Sequence, residues 1–546
     1  GKTFIAVNLL RRIADAGLLR RALFICDRDE LRKQAAGAFQ AVFGANAAAV
    51  SGSDAARNAR VLIATYQTLG IDTDDADASF LTQHYPPNTF SHIIIDECHR
   101  SAWGKWHEVL SRNPDAAQIG LTATPRQLDL GRRTPEALAD LTVSADNLAY
   151  FGEPVYEYDM AQGIEDGYLA ACEIVTGRVN LDDSGLTIDE LLAHQATDAR
   201  TGERMLREDL RDYYAHPHFE DKLLLPDRVQ AMSEDLYQYL LETGGPEQKT
   251  IIFCVRDQHA DSVAIALNNL YAAWCSERGI ERVDYYAFKC TAASSGNDYL
   301  ADLRGSSRSH FIATTVDLLT TGVDVPVVRN IVFFRYVLSP ISFYQMIGRG
   351  TRLDPASDKL MFRVYDYTNA TRLFGQAFLT KYQAPALPTE PGSSPRPSEP
   401  IVQVEGIAVH VSHAGKYIVA TVDGKATPVT VEQYKAALAA RLVAEAPTLD
   451  DFRRQWLQPA TRQALLAHLP DGERSAEVVR AVDDRADYDL YDVLGELGYG
   501  LAPNTRVQRA AAFSYKHAAW LSSLPGPARA TLNALAAQFA LAGTDG

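Results

Sequence analysis

Three short groups of residues carry types and spacings that could do chemistry. The chain opens Gly1-Lys2-Thr3 and runs on as FIAVNLLRRIADAG, with Ile5, Leu9 and Ile13 four residues apart. That spacing predicts a helix whose N-terminus lies at the Gly-Lys-Thr, with Ile5, Leu9 and Ile13 as its apolar stripe. Its unpaired amide N–H groups and the positive end of its dipole would then face an anion. Gly1, Lys2 and Thr3 are therefore candidate cofactor-binding residues: the Lys2 ammonium would reach the β- and γ-phosphates of ATP and the Thr3 hydroxyl would hold Mg²⁺. Taken alone, Gly-Lys-Thr is a common tripeptide. In the second group, Asp96-Glu97-Cys98-His99 follows the apolar run His92–Ile95. A metal-holding Asp96 beside a Glu97 that polarises water suits hydrolysis of a phosphoanhydride; two acids on a loop could also simply solubilise a strand end. The third is Gln345-Met346-Ile347-Gly348-Arg349-Gly350-Thr351-Arg352. Arg349 and Arg352, three apart, are expected on one helical face, where both guanidiniums could meet one polyphosphate. The alternative is an ordinary surface salt-bridge pair.

Weaker signals lie between these groups. Leu121-Thr122-Ala123-Thr124-Pro125 places two hydroxyls near the acidic pair, where they could couple phosphate state to domain movement, although a Thr-rich strand end is usually a cap. In ATTVDLLTTGVDVP (313–326), Thr320, Thr321 and Gly322 can offer hydroxyls and an N–H to a phosphodiester without reading a base. Asp324 could bridge the nucleotide and nucleic-acid sides; both TTG and DVP are also competent turn sequences. Pro226-Asp227 followed by Glu247-Gln248-Lys249 matches a loose nuclease pattern. The intervening DRVQAMSEDLYQYLLETG has helical periodicity, so the three side chains are not expected to converge on one metal.

Positioning these groups requires strands. ALFICD (22–27), VLIATY (61–66), HIIIDE (92–97) and QIGLTAT (118–124) read as buried parallel strands, and CEIVTGRV (172–179), TIIFCV (250–255), HFIATT (310–315) and NIVFFR (330–335) as a second set. Strands alternating with helices imply parallel sheets covered on both faces. Ligands of such sheets bind past the carboxyl ends of strands, and every polar signature above is expected there. The expected fold class is α/β: two parallel-sheet domains, over 1–155 and 156–382, followed by a mainly helical segment. Residues 383–400 hold six prolines with Ser, Gly and Glu and read as a linker. Beyond it, YIVATV-DG-KATPVTV reads as a small hairpin turning at Asp423-Gly424, grouped with the helical patterns after Val431 as a third domain over 401–546.

Composition bounds the class. A chain of 546 residues, 47% hydrophobic and 22% charged, holds enough apolar material for roughly three to four cores. Its 53 basic and 69 acidic side chains give a formal net charge of −16, which excludes bulk electrostatic adhesion to nucleic acid but not a local basic groove. Six scattered cysteines show no zinc or redox spacing, so the chain reads as intracellular, in the cytoplasm. No apolar run approaches the roughly 18 residues of a membrane span. The opening Gly, inside a motif, reads as a cut N-terminus.

The order decides between these readings. GKT, ATYQT, DECH, LTATP, IIFCV, TTGVDVP and QMIGRGTR occur in that sequence, each at an expected strand end or helix start. Together they resemble the superfamily 2 helicase motor of the DEAD/DEAH-box-like group. FICDRDELRKQ (24–34), FGEPVYEYDMAQGIEDGYLA (151–170) and VYDYTNATRLFG (364–375) resemble the type I restriction enzyme R subunit. DDFRRQWLQPATRQALLAHL (450–469) and DYDLYDVLGELGYG (487–500) resemble the helical domain of its EcoEI-like branch. The resemblance covers nearly the whole chain and implies two RecA-like motor domains, ATP with Mg²⁺, double-stranded DNA as track, and methyltransferase and specificity subunits as partners. It makes Lys2, Thr3 and Asp96 the nucleotide and metal contacts, with Gly322 and Asp324 also on the nucleotide side. Glu97 positions water, and Gln345, Arg349 and Arg352 are catalytic, the two arginines as fingers. It places Thr65, Thr320 and Thr321 against a DNA backbone and gives His99, Thr122 and Thr124 coupling roles. The departures are at the start, where the first part of the phosphate loop, the adenine-reading segment and a nuclease domain are missing. Two alternatives stay open: another superfamily 2 DNA or RNA helicase with the same motor residues, or a non-enzymatic assembly fragment acting through 401–546.

Overall fold

The computed structural model describes residues 2–26, 29–52, 54–65, 67–69, 80–96, 109–122, 127–129, 151–152, 154–291, 298–316, 325–374, 379–381, 401–422, 425–470 and 472–545. They divide into two compact units, one built on residues up to 157 and one on 158–338, 345–375 and 397–546; residues 339–344 group with the first.

The first unit is a parallel sheet of β1 (Ala22–Cys26), β2 (Ala47–Ala49), β3 (Val61–Thr65), β4 (His92–Asp96) and β5 (Ala117–Leu121), in the order β2-β3-β1-β4-β5. All five residues of β1 and of β3 are buried, as a parallel strand covered on both faces requires. Alternate side chains feed two cores. Leu23, Ile25, Leu62, Ala64, Ile93 and Ile95 fill one, while Phe24, Ile63 and Ile94 fill the other with two helices, α1 (Lys2–Asp15) and α2 (Asp29–Phe43). The face of α1 differs from the stripe expected at Ile5, Leu9 and Ile13. Its buried residues are Ala6, Val7 and Leu10, with Ile13 packed at the margin and Ile5 47% exposed. Apolar residues wrap most of this helix, so periodicity fits two adjacent faces, and packing on β1 selects one.

The main sheet of the second unit holds eight strands among the described residues: β6 (Ala171–Val179), β7 (Thr250–Phe253), β8 (Ala287–Lys289), β9 (Ile312–Thr315), β10 (Asn330–Phe333), β11 (Met361–Asp366), β12 (Val411–Val422) and β13 (Lys425–Thr430). Their order is β8-β9-β7-β10-β11-β6-β12-β13, parallel through β6 and antiparallel beyond it. Helices α3 (Pro226–Glu242) and α4 (Asp257–Arg278) bury Val229, Met232, Leu236, Val263 and Leu267 in its main core. Here the reading of 401–546 as one domain is corrected. The hairpin β12–β13 extends the main sheet, Tyr417 standing opposite Ile174 and Ile418 opposite Glu173. An Arg363–Glu173 ion pair of 2.7 Å across directly opposed positions of β11 and β6 helps fix that edge. The turn at Asp423-Gly424 lies outside the described residues.

Helix α5 (Pro340–Ile347) follows β10, and after β13 the helical segment comes directly: α6 (Val431–Glu445), α7 (Leu449–Trp456), α8 (Pro459–Ala467), α9 (Ser475–Val482) and α10 (Leu490–Tyr499). Thr430 and Gln433 form a capping box that starts α6 where β13 stops. Leu438, Leu442, Phe452, Trp456, Leu465 and Val493 pack with Ile418 of β12 in one core. Toward the end of the chain, the helices α11 (Arg506–Lys516) and α12 (Gly526–Ala542) bury no residue, and polar clamps hold this region: Arg509 on buried Asp492, and the Thr544 N–H and hydroxyl on Asp489 at 2.7 and 2.6 Å.

Candidate active site

In the first unit the registers pair Cys26 with Thr65, Ile25 with Ile95 and Asp96 with Leu121, so Thr65, Asp96 and Thr122 end neighbouring strands at one carboxyl edge. Adjacent strands stand about 4.8 Å apart, so Thr65, two strands from Asp96, sits about 10 Å along this edge. The N-terminus of α1 opens onto the same edge, and Lys2 Nζ lies 3.5 Å from Asp96 Oδ1. Asp96 is 6% exposed. An anionic oxygen, an ammonium and the N-terminal end of a helix thus converge, an arrangement that fits a metal–polyphosphate. The Asp96 carboxylate and the hydroxyl of Thr3, in the first turn of α1, are both oxygen donors, the kind that would suit Mg²⁺. Thr65 differs from its expected part as a hydroxyl offered to nucleic acid. It is 3% exposed, and its oxygen accepts the Thr68 N–H at 3.1 Å and lies 2.8 Å from the Thr68 hydroxyl. Its side chain shapes the turn after β3. Thr122 is half-buried just past β5. Gly1, Glu97, His99, Thr124, Thr320, Thr321, Gly322 and Asp324 lie outside the described residues.

In the second unit two expectations about the arginines are overturned. They do not share a helical face, because α5 (Pro340–Ile347) ends before either. The chain leaves α5 through a turn, with Arg349 N–H on the Met346 carbonyl at 3.1 Å and Gly350 N–H on Ile347 at 2.9 Å. Arg349 Nε donates to the Gln345 carbonyl at 3.2 Å, and Arg352 follows on non-helical backbone, exposed. Beyond the helix the loop lies tight against β11: a Cβ on Gly350 would stand 2.3 Å from the ring of Phe362, which is fully buried, so only glycine fits there. Nor does this loop sit past a carboxyl end. The Ala170 N–H, just before β6, donates to the Thr351 carbonyl at 2.8 Å, and Lys359, just before β11, reaches the Gly350 and Arg352 carbonyls at 2.9 and 2.7 Å. Helix α5 has carried the arginines back to the amino edge of their sheet.

Two residues here, Lys359 and Asp366, are not singled out by the sequence reading as chemical groups, although Asp366 lies within VYDYTNATRLFG. Lys359 is 0% exposed and gives a third bond to the Pro326 carbonyl at 2.8 Å. The only hint is a charged residue set immediately before an apolar strand. Asp366, 1% exposed at the end of β11, accepts N–H groups of Thr368, Ala370 and Thr371 and the Thr371 hydroxyl, at 2.6 to 3.0 Å. It organises the YDYTN turn. Elsewhere in this unit, burial pushes the Glu220 carboxyl up to about 7 against the pull of Arg228 and Arg256, and pushes His259 down to about 3. Arg228 is bound to Asp182 at 3.2 Å and Arg256 to Asp221 at 2.6 Å. The nuclease-like triad is otherwise engaged. Pro226 starts α3, Asp227 accepts the Ile407 N–H at 3.1 Å, Glu247 accepts Tyr271 Oη at 2.8 Å, and Lys249 serves backbone carbonyls.

Comparison with known proteins finds two family matches. Residues 1–127 match the family described as the res subunit of type III restriction enzymes, and residues 232–354 match the helicase conserved C-terminal domain. Together the two matches resemble the pair of domains of a superfamily 2 helicase, and the matched segments fall on the two parallel sheets. Among such proteins it resembles the endonuclease subunit of type I restriction enzymes. It is 28% identical over 564 residues to the EcoAI endonuclease subunit of Escherichia coli, covering 93% of this chain and 65% of that one. It is 28% identical over 394 residues to the EcoKI endonuclease subunit of Escherichia coli K12, covering 67% and 32%. The chain thus spans less than two thirds of the length of either relative. Among solved structures, a fragment described as the HsdR subunit of a type I restriction enzyme from Vibrio vulnificus YJ016 is 27% identical with a TM-score of 0.44, covering 66% of this chain and 57% of that one. The type ISP restriction-modification enzyme LlaBIII bound to DNA is 16% identical, TM-score 0.44, covering 67% and 25%. No described helix is long and apolar enough to cross a membrane.

Proposed function

We propose that this chain is the ATP-driven motor part of a type I restriction enzyme R subunit, moving double-stranded DNA at the expense of ATP hydrolysis. The observation that carries the reading is the convergence of Lys2, the N-terminus of α1 and the buried Asp96 at 3.5 Å on one strand edge. On this reading Lys2 leaves Asp96 to take the β- and γ-phosphates, and the first-turn amides of α1 hold the same oxygens. Asp96 and Thr3 hold Mg²⁺, which when bound neutralises charge on the phosphate oxygens. Glu97 accepts a proton from the attacking water. Arg349 and Arg352, with Gln345 behind them, stabilise charge on the transferred phosphoryl group, so that closure of the two units depends on ATP and hydrolysis reopens them. Gly322 and Asp324 join the nucleotide side, while Thr320, Thr321 and the Thr65 turn meet the DNA backbone, leaving sequence choice to other subunits. His99, Thr122 and Thr124 transmit phosphate state. The partners are methyltransferase and specificity subunits in the cytoplasm, and the net charge of −16 favours a local groove over general DNA adhesion.

The test is ATP hydrolysis by the full-length protein with duplex DNA, single-stranded DNA or RNA. Stimulation by duplex is expected. Stimulation by RNA alone would replace this reading with the RNA helicase alternative, and hydrolysis-free assembly with a methyltransferase complex would favour the non-enzymatic one.

A further inference from the structure

We propose that Lys359 is a positioning residue that ties the loop after the nucleic-acid segment to the arginine loop, so that the two move as one body. The inference rests on the ATP-hydrolysis reading above. An ammonium has three donors. Those of Lys359 reach three carbonyls from two separate stretches of chain: Pro326 at 2.8 Å, Gly350 at 2.9 Å and Arg352 at 2.7 Å. Pro326 closes the segment ATTVDLLTTGVDVP, and Gly350 and Arg352 flank the turn that carries the second arginine. Helix α5 ends at Ile347, so regular helical hydrogen bonding no longer fixes the backbone at Arg352. The ammonium does so instead. Lys359 is 0% exposed, and burying an ammonium is costly unless its bonds are well formed; an apolar side chain of similar volume would fill the space without that cost. Three carbonyl bonds from the loops it joins offset part of that cost.

Lys249 supplies a built-in comparison. It too lies just before a strand, β7, is 8% exposed and donates to three carbonyls, those of Asp302, Ser309 and His310 at 3.4, 2.9 and 2.8 Å. None of its acceptors lies in a signature loop. Two buried lysines at the same sheet edge therefore differ in what they fasten.

The experiment measures ATP hydrolysis by the full-length protein, with and without duplex DNA, for wild type, Lys359→Met, Lys249→Met, Arg352→Ala and the Lys359→Met/Arg352→Ala double variant, with thermal unfolding of each. A misplaced catalytic group costs on the order of 100-fold. Lys359→Met should therefore lower kcat by about that factor with KM for ATP within about threefold, and should cut the stimulation by duplex. Lys249→Met should lower the melting temperature and leave kcat within about threefold. If Lys359 acts through the arginine, adding Lys359→Met to Arg352→Ala should cost less than about threefold more. Wild-type kcat and duplex stimulation in folded Lys359→Met, or a full additive loss in the double variant, overturns the proposal. So does failure of both Lys359→Met and Lys359→Gln to fold while Lys249→Met folds, because the side chain would then be holding the core. Absence of hydrolysis in the wild type is a different failure, since it removes the motor reading itself.

Discussion

Replacing Arg352 by alanine separates catalysis from folding more cleanly than any other change in this chain. The side chain is exposed and stands on non-helical backbone that Lys359 holds through its carbonyl, a contact the substitution leaves in place. Truncating an exposed side chain away from a cap or core changes stability by less than about 0.5 kcal/mol. For a unit this large that is a melting shift of about 2 °C or less. An arginine that stabilises charge on a transferred phosphoryl group contributes about 10³- to 10⁵-fold in kcat, or about 4 to 7 kcal/mol of activation free energy. The two effects therefore differ by about an order of magnitude in free energy. The assay is steady-state ATP hydrolysis by the full-length protein with saturating duplex DNA, beside calorimetric unfolding of the same preparations. The expected result is a kcat at least about 1,000-fold lower, KM for ATP changed by only a few-fold, and an unaltered melting curve. A folded Arg352→Ala protein that keeps kcat within about tenfold would refute the arginine-finger reasoning. A melting point lowered by several degrees would show instead that the guanidinium belongs to the fold.

Other outcomes follow from the same geometry. Lys2→Ala removes the ammonium 3.5 Å from Asp96, and ATP affinity measured by calorimetry should weaken by on the order of 100-fold; unchanged affinity would displace the phosphate site from the start of α1. Glu173→Ala strands Arg363, its partner at 2.7 Å, among buried strands, and unfolding free energy should fall by about 3 kcal/mol, with much of it restored in Glu173→Leu/Arg363→Met. A loss below about 1 kcal/mol would mean that the pair does not fix the sheet edge. Glu220 holds its proton in the folded state up to about 7, whereas an unfolded glutamate releases it near the ordinary value of 4.5. The folded state therefore binds more protons between those values, and stability should decline as pH rises through that window, by up to about 3 kcal/mol at pH 8 relative to pH 4. Glu220→Gln should flatten this dependence in denaturant titrations; an equally steep decline in the variant would assign it to other groups.

Read locally, the sequence marked candidate residues and most of the strands. Asp96 was legible because a charged residue after an apolar β-branched run marks the end of a buried strand, Lys2 because it opens an apolar helical run, and Arg349 and Arg352 only by type and spacing. The same rule located β1, β3, β4, β7 and β10 to within a few residues. What it could not determine depends on contacts far apart in the chain. The buried face of α1 is chosen by packing on β1, since apolar residues surround most of that helix. The hairpin β12–β13 looks self-contained in sequence, yet its register with β6 bridges more than 200 residues, and no local signal encodes that pairing. The arginine loop reads as helix because its residues permit one, but the helix ends at Ile347, Gly350 lies against the ring of Phe362 where no side chain fits, and the ammonium of Lys359 holds the backbone beyond. Local pattern sets which residues can form strands and which can bind phosphate; only the assembled sheet sets which edge they reach and what holds them there.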